Sequence, residues 1–406
     1  MGTMTASTRE KKIQELLDRG VERVYPTRDF LKSLLAGGKK LTVYLGIDPS
    51  GPHLHLGHAI PLIKLSQFQR LGHMIILLIG DFTAMAGDPD KTEVRKRLTK
   101  KEILANCKSY KKQASKILKF TGPNAAEYRF NSTWLSKLTL AEVIDLMSKS
   151  TVQRMLERDL FERRMKSGKP LYQHEFLYPL MQGYDSVVMQ VDGEVGGNDQ
   201  TFNMLTGRDL MKQYKNKEKF VLTMKLLEDP TGKKMGKTEG NMVTLVDSPK
   251  EMFGKIMSWT DGMIAPGFEL LTDLPIPEIK ERERMMKEGT LNPRDAKAEL
   301  ARRVVAFYHT EAKARQAEHE FEKQFTKKEV PNDIRTLPLK EWATSGKDFV
   351  ERLVAARLCA SKSEARRLIE QRGVRIDGEV VTMNVQVSAN HNFVISVGKR
   401  KFLRIV

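Results

Sequence analysis

Residues 41–79 read LTVYLGIDPSGPHLHLGHAIPLIKLSQFQRLGHMIILLI, and the order of patterns in this stretch decides the fold. Residues 41–48 are apolar and β-rich, as a buried strand requires. Pro49, Ser50, Gly51 and Pro52 then make a turn-rich loop. Leu56, Ala59, Ile60 and Ile63 recur at i, i+3, i+4 and i+7, a helical stripe closed by Gly72. Residues 73–79 are a second apolar run. Strand, loop, helix and strand in this order form a βαβ unit. It predicts an α/β protein built on a doubly wound, Rossmann-like parallel sheet with helices on both faces. The pattern returns at residues 186–195 and 220–227.

Beyond residue 246 the sequence turns helical. Asn292-Pro293 reads as a helix start with Pro at N1, and helical patterning continues to about residue 325. Residues 327–347, polar and Pro-bearing, read as a linker. From residue 348 a small α+β module is expected. Ser361 and Glu364 read as a capping box, Gly373 as a helix C-cap, Asp377-Gly378 as a hairpin turn, and residues 393–406 as a second hairpin turning near Gly398. The expected organisation is a Rossmann-like domain over 1–245, a helical domain over 246–326, the linker, and a terminal module over 348–406.

The chain has 406 residues, with 69 Lys and Arg against 51 Asp and Glu, a net charge of +18. Its mean hydropathy of −0.43 and its short apolar runs argue against a membrane protein. Two cysteines, Cys107 and Cys359, are too few for a disulfide framework or a Cys-rich zinc site, and fit a reducing cytoplasm. The first residues carry no apolar segment of a secretory signal. The charge surplus favours a polyanionic partner. Residues 91–120 hold 11 basic and 2 acidic residues, and residues 340–406 hold 13 and 7. Lys91 and Arg95 could approach phosphates, whereas Lys108, Lys111 and Lys112 fit a solvated helix face. Arg366, Arg367, Arg372 and Arg375 mark the terminal module as a candidate RNA binder; a basic structural tail is the plainer reading.

Two motifs carry chemistry. His55-Leu56-Gly57-His58 stands where the first strand hands over to the first helix. A helix N-terminus favours anions, Gly57 admits a nucleotide base close to the backbone, and His55 and His58 can reach one phosphate. The plainer readings are a pair of capping histidines, or a metal site with His53. Lys234-Met235-Gly236-Lys237-Thr238 lies between turn formers, so an exposed loop is expected whose lysines can close on a triphosphate. By itself it reads as a solvated basic turn.

Together these motifs resemble the two signatures of class I aminoacyl-tRNA synthetases, His-Ile-Gly-His and Lys-Met-Ser-Lys-Ser, with departures at Leu56, Gly236 and Thr238. Further segments are similar to the bacterial tyrosyl-tRNA synthetase branch. They are Tyr44 to Asp48, Thr83 to Asp88-Pro89, Tyr178 through Gln182 to Asp185, and Gly196-Gly197-Asn198-Asp199-Gln200. The likeness covers residues 30–250, and the terminal module resembles an S4-type RNA-binding domain.

The resemblance implies a tyrosine–tRNA ligase that uses ATP as substrate, with Mg²⁺ accompanying ATP and no zinc. Its implied partners are L-tyrosine, ATP and tRNA(Tyr), with no membrane. It implies a cytoplasmic homodimer with its dimerisation segment at 120–175, and anticodon binding by the helical domain. His55, His58, Lys234, Lys237 and Thr238 are the implied catalytic residues. Tyr44 and Asp185 would bracket the phenol hydroxyl, while Asp88, Tyr178 and Gln182 would hold the ammonium group and Gln200 would sit near the carboxylate. Asp48, Gly57, Gly197, Asp199 and Lys237 would meet ATP. A site that hydrogen-bonds a substrate hydroxyl rejects an analogue lacking it, a rule for which tyrosyl-tRNA synthetase is itself the standing example. Outside the family context, Tyr44 reads as a packed strand residue, Asp88 as a turn residue, Asp185 as a helix-face carboxylate, Tyr178 and Gln182 as a packed helical pair, and Asp199 and Gln200 as a polar loop. Tryptophanyl-tRNA synthetase, a nucleotidyltransferase and an RNA-binding regulator are the rival readings.

Overall fold

The apolar runs of the opening stretch are neighbours in one sheet. A computed structural model describes residues 6–88, 98–232, 242–325, 334–346, 348–382, 392–398 and 401–406. The chain divides into two units, Met1–Glu311 and Ala312–Val406.

The sheet of the first unit has six strands: β1 (Val21–Tyr25), β2 (Thr42–Ile47), β3 (Met74–Ile79), β4 (Glu127–Phe130), β5 (Gly193–Gly197) and β6 (Phe220–Met224). Their spatial order is β1-β6-β5-β2-β3-β4. β2 pairs in parallel with β3 from Thr42↔Met74 to Ile47↔Ile79, as the βαβ reading requires. The expected parallel sheet is present over β6-β5-β2-β3-β4 and carries one antiparallel edge strand, because β1 runs antiparallel to β6. β1 reads VERVY, and its Glu22 and Arg23 are exposed. Charged residues of this kind suit a sheet edge, where unpaired backbone would otherwise invite further strands. The expected strand at 186–195 is shorter, since residues up to Met189 belong to the helix Gln173–Met189.

The helix Leu56–Arg70 is buried on more than its apolar stripe: Lys64, Ser66 and Gln69 are also inside. Lys64 donates through Nζ to the carbonyls of Leu16 (2.6 Å) and Arg19 (2.9 Å) at the end of the helix Ala6–Asp18. Carbonyls at a helix end lack intrahelical partners, so this cation satisfies groups that would otherwise be orphaned. The part read as a dimerisation insert begins inside the sheet, as β4 pairs with β3. The helices Leu140–Ser148, Val152–Leu156 and Asp159–Lys166 follow. Helical sequence after residue 246 is borne out from Pro249–Met257 through Pro293–Tyr308, where Asn292 accepts from the Arg294 N–H.

The second unit contains β7 (Thr336–Leu337), β8 (Val374–Ile376), β9 (Glu379–Val380), β10 (Phe393–Val397) and β11 (Lys401–Ile405), in the order β7-β11-β10-β8-β9. Both expected hairpins are present, the first turning through Asp377 and Gly378, each with positive φ. Part of the stretch read as a linker is folded: β7 pairs in parallel with β11, and Trp342 of the helix Leu339–Thr344 is 1% exposed within the core formed with Phe349, Leu353 and Ile395. The left-handed residue after the helix Lys362–Glu370 is Arg372 (φ 57°), and not Gly373. Ser361 caps that helix by accepting from the Glu364 N–H, while the Glu364 carboxylate accepts from the Ala360 N–H.

Candidate active site

The strand order reverses between β5 and β2, and open sheets of this kind bind ligands beyond the carboxyl ends of the strands at such a switch. Asp48 follows β2, Thr83 lies just beyond β3, and Gly197 to Gln200 close β5. Gly80 permits the crossing: a Cβ there would lie 1.9 Å from Asp48 Oδ1.

His55 and His58 form the N-terminal cap of the helix Leu56–Arg70, with ring centroids 3.9 Å apart. His55 Nδ1 accepts from the Gly57 N–H (3.1 Å), and His58 Nδ1 accepts from the His55 N–H (3.3 Å). The expected free backbone N–H groups at this helix end are therefore taken. Leu56 N–H also goes to the Val243 carbonyl (3.0 Å), and His58 N–H to that of His55 (2.9 Å). Burial lowers the His55 imidazole from 6.5 to about 4, and burial with the neighbouring His55 lowers His58 to about 3. Both rings are neutral at neutral pH. With Nδ1 accepting, the proton resides on Nε2, leaving each ring one N–H donor, the kind of group that can bind phosphate oxygens. A Cβ on Gly57 would lie 2.9 Å from His55 Cε1, so the glycine makes room for the imidazole. His53 is exposed, and among the described residues no group of three or more His, Cys, Asp or Glu could hold a metal ion.

Tyr44 is fully buried in β2, within an apolar cluster of Ile76, Leu78, Met189 and Val191 against which Trp134 packs. Its hydroxyl lies 2.9 Å from Ser186 Oγ. Asp185 is 2% exposed and accepts from Trp134 Nε1 (2.7 Å) and Asn131 Nδ2 (3.2 Å). Burial pushes its carboxyl well above the usual carboxylate range, while those two donors pull the other way. Burial, reinforced by the carboxylates of Glu194 and Asp185, likewise raises the Tyr44 hydroxyl. Asn131 Nδ2 also reaches Thr83 Oγ1 (3.1 Å), which donates to Asp48 Oδ1 (2.8 Å). Asp48 Oδ2 accepts from the Tyr178 hydroxyl (2.9 Å). One hydrogen-bonded chain thus runs from Asp185 to Tyr178.

Asp88 is bound on both oxygens, by Arg158 Nη2 and by Gln200 Nε2, each at 2.7 Å. Gln182 Nε2 donates to Glu194 Oε1 (3.0 Å). Asp199 is exposed, and a Cβ on Gly197 would lie 2.4 Å from its Oδ1. The structure brings together Asp48 with Tyr178 and Asp88 with Gln200. Tyr44 and Asp185 bond to different partners, Tyr44 to Ser186 and Asp185 to Trp134 and Asn131. Lys234, Lys237 and Thr238, like Lys91 and Arg95, lie outside the described residues. Arg366, Arg367, Arg372 and Arg375 are all exposed, and Arg375 Nη1 is tied to the Gly378 carbonyl (2.9 Å).

Sequence reasoning missed Asn131, Trp134, Arg158, Ser186, Glu194 and Lys219. Ser186 adjoins Asp185, and Lys219 opens an apolar strand; those adjacencies were the available signals.

The family model described as tRNA synthetases class I (W and Y) matches residues 36–326, and the S4 domain model matches residues 351–392. The chain is 47% identical over 401 residues to the tyrosine–tRNA ligase of Thermotoga maritima, covering 98% of each chain. It is 46% identical over 397 residues to that of Moorella thermoacetica, covering 96% of this chain and 94% of the relative. Among solved structures, a C-terminally truncated mitochondrial tyrosyl-tRNA synthetase from Aspergillus nidulans superposes with a TM-score of 0.66 at 25% identity, covering 78% of this chain and 95% of that one. With a switch point in the parallel sheet, paired neutral imidazoles at a helix start and the buried Tyr44 and Asp185 described, these matches settle the family: the chain belongs to the W and Y family of class I tRNA synthetases, with an S4 domain in its C-terminal unit.

Proposed function

We propose that the chain is a tyrosine–tRNA ligase that activates L-tyrosine with ATP and transfers it to the terminal ribose of tRNA(Tyr). The observation that carries the choice of tyrosine is the burial of two polar side chains, Tyr44 in an apolar cluster and Asp185 beside Trp134, which packs on that cluster. The phenol hydroxyl would donate to the Asp185 carboxylate and accept from Tyr44. Tryptophan offers no hydroxyl there and would leave the remaining hydrogen-bonding capacity of both groups unused.

The substrate ammonium would sit against Asp88, the Gln182 Oε1 and the Tyr178 hydroxyl oxygen. Because Tyr178 O–H donates to Asp48, its oxygen remains an acceptor. Gln200 would meet the substrate carboxylate. Gly57 would face the base of ATP, with Gly197 and Asp199 on the ribose and Asp48 near the nucleotide. One carboxylate oxygen of tyrosine attacks the α-phosphorus, the bond to the bridging oxygen breaks, and pyrophosphate leaves. The Nε2–H groups of His55 and His58, with Lys234, Lys237 and Thr238, would stabilise charge developing on the phosphates. The ribose hydroxyl then attacks the activated carbonyl and AMP departs. Mg²⁺ would arrive on the phosphates of ATP, since it keeps most of its waters and binds proteins through few ligands.

The basic S4 domain would grip tRNA, with Arg366, Arg367, Arg372 and Arg375 on its exposed surface. A homodimer is supported by Leu140, Ile144 and Met147, exposed along one helix at i, i+4 and i+7, with Val152 exposed on the next. A contiguous apolar face of that kind suits a partner copy. Cytoplasmic residence is consistent with two buried free cysteines and with no described helix long and apolar enough to cross a membrane. Amino-acid-dependent ATP–pyrophosphate exchange tests the activation step: exchange with tyrosine supports it, and exchange only with tryptophan overturns it.

A further inference from the structure

Behind the proposed tyrosine pocket lies a buried ion pair that none of the expected site residues includes. Lys219 is 0% exposed and Glu194 is 2% exposed. Lys219 Nζ donates to Glu194 Oε2 and, at 2.9 Å, to Ser186 Oγ, which lies 2.9 Å from the Tyr44 hydroxyl. Glu194 Oε1 accepts from Gln182 Nε2 at 3.0 Å. Space for the ammonium is reserved at the helix Thr201–Lys215, where a Cβ on Gly207 would lie 2.6 Å from Lys219 Nζ.

We propose that the Lys219–Glu194 pair is a positioning device that sets the hydrogen-bond polarity at both ends of the amino-acid site. The inference rests on the assignment of that site to tyrosine. An ammonium group only donates, so Ser186 Oγ receives a proton from Lys219 and its own O–H is directed onward to Tyr44. Tyr44 O–H, which also interacts with the Glu194 carboxylate, turns to the substrate phenol oxygen when tyrosine binds, leaving Asp185 as the acceptor of the phenol proton. At the other end a carboxylate only accepts. Glu194 therefore holds the Gln182 amide by its NH₂ and turns Oε1 outward, where an ammonium can be received. Both polarities follow from a single charge pair, and chains of hydrogen bonds of this kind strengthen one another in a buried setting. Lys219, Glu194 and Ser186 touch no substrate; they act through Tyr44 and Gln182.

The test compares wild type with Ser186→Ala and with the charge-neutral double variant Glu194→Gln/Lys219→Met, using pyrophosphate exchange with tyrosine, phenylalanine and 4-aminophenylalanine. Ser186→Ala is expected to lower the tyrosine-to-phenylalanine ratio of kcat/KM roughly ten-fold. It is also expected to favour 4-aminophenylalanine relative to tyrosine, because a freed Tyr44 hydroxyl can turn and accept from the amine. A general loosening of the pocket would lower all three substrates alike, and that result, or an unchanged ratio, overturns the relay. The double variant is expected to raise KM for tyrosine while KM for ATP holds; a folded double variant with an unaltered KM for tyrosine overturns the role of the pair. Should Ser186→Ala fail to fold, the nearly isosteric Ser186→Cys, a weak donor, is expected to fall between it and wild type. Absence of tyrosine-dependent exchange in the wild type overturns the ligase assignment and the relay together, whereas a wild-type ratio in Ser186→Ala overturns the relay alone.

Discussion

Arg158 Nη2 donates to Asp88 Oδ1 across 2.7 Å, so the carboxylate proposed to receive the substrate ammonium is already held by a guanidinium. Both side chains are largely buried, at 5% and 11% exposure. Gln200 takes the second oxygen. A carboxylate has about four lone-pair sites, so the ammonium can add to this arrangement without displacing either partner. Asp88→Asn replaces one acceptor by a donor and leaves Arg158 buried without its counter-charge. The expected outcome is a loss of about 3 kcal/mol in stability, read by urea unfolding, together with a raised KM for tyrosine. A KM for tyrosine equal to that of wild type would remove Asp88 from the ammonium site.

If Asp185 accepts the phenol proton, as proposed, it governs discrimination. Because burial raises its carboxyl above the usual range, protonation on acidification removes the charged acceptor at a higher pH than for an ordinary aspartate. The tyrosine-to-phenylalanine ratio of kcat/KM should therefore fall as pH falls, with its midpoint above the ordinary carboxylate range. Asp185→Asn should lower the ratio by roughly 10–100-fold and flatten its pH dependence. A pH profile identical in the variant would assign the limb to another group.

The histidine pair predicts a stability slope. The folded-state values, about 4 for His55 and about 3 for His58, lie below the ordinary 6.5. On acidification the unfolded chain binds protons first. The pair's contribution is thus complete above about pH 6.5 and is lost as pH falls toward about 4 and then about 3. The double variant His55→Gln/His58→Gln should show a shallower fall in urea midpoint over that window. His73, lowered by burial to about 4, should preserve part of the slope.

The folded state of residues 334–346 dictates where the tail can be cut. Leu337 and Trp342 belong to the core of the second unit. Truncation at residue 348 would strand these side chains without their partners and should give an aggregation-prone protein. A cut within 326–333 should leave pyrophosphate exchange intact while lowering tRNA charging. Equal loss of both activities would make the tail a structural element.

The fold was legible where local pattern and burial agree. The βαβ unit declared itself through residues 41–79, and Asp377-Gly378 declared its hairpin, because strand periodicity and turn chemistry are local properties. β1 was not legible: VERVY is short, charged and half-exposed, and only pairing with β6 makes it a strand. Trp342 was hidden for a similar reason, since its polar flanks read as linker while tertiary packing buries the ring. In the candidate site, the motif residues could be named but their partners could not. Lys219 immediately precedes the apolar strand β6, which ordinarily means a solvated strand end, and Glu194 lies within β5; only the fold places them against each other in the interior. The histidines show the converse. Capping and phosphate binding looked like competing readings of one motif, yet using Nδ1 for the cap keeps the proton on Nε2, so the two readings are compatible.

The most direct test of the account is the initial rate of ATP–pyrophosphate exchange by the full chain, measured with tyrosine, phenylalanine and tryptophan in parallel. The account predicts exchange with tyrosine, at least roughly 100-fold weaker kcat/KM for phenylalanine because it offers Tyr44 and Asp185 no hydroxyl to exchange hydrogen bonds with, and none with tryptophan. Exchange that favours tryptophan, or that treats tyrosine and phenylalanine alike, would contradict it.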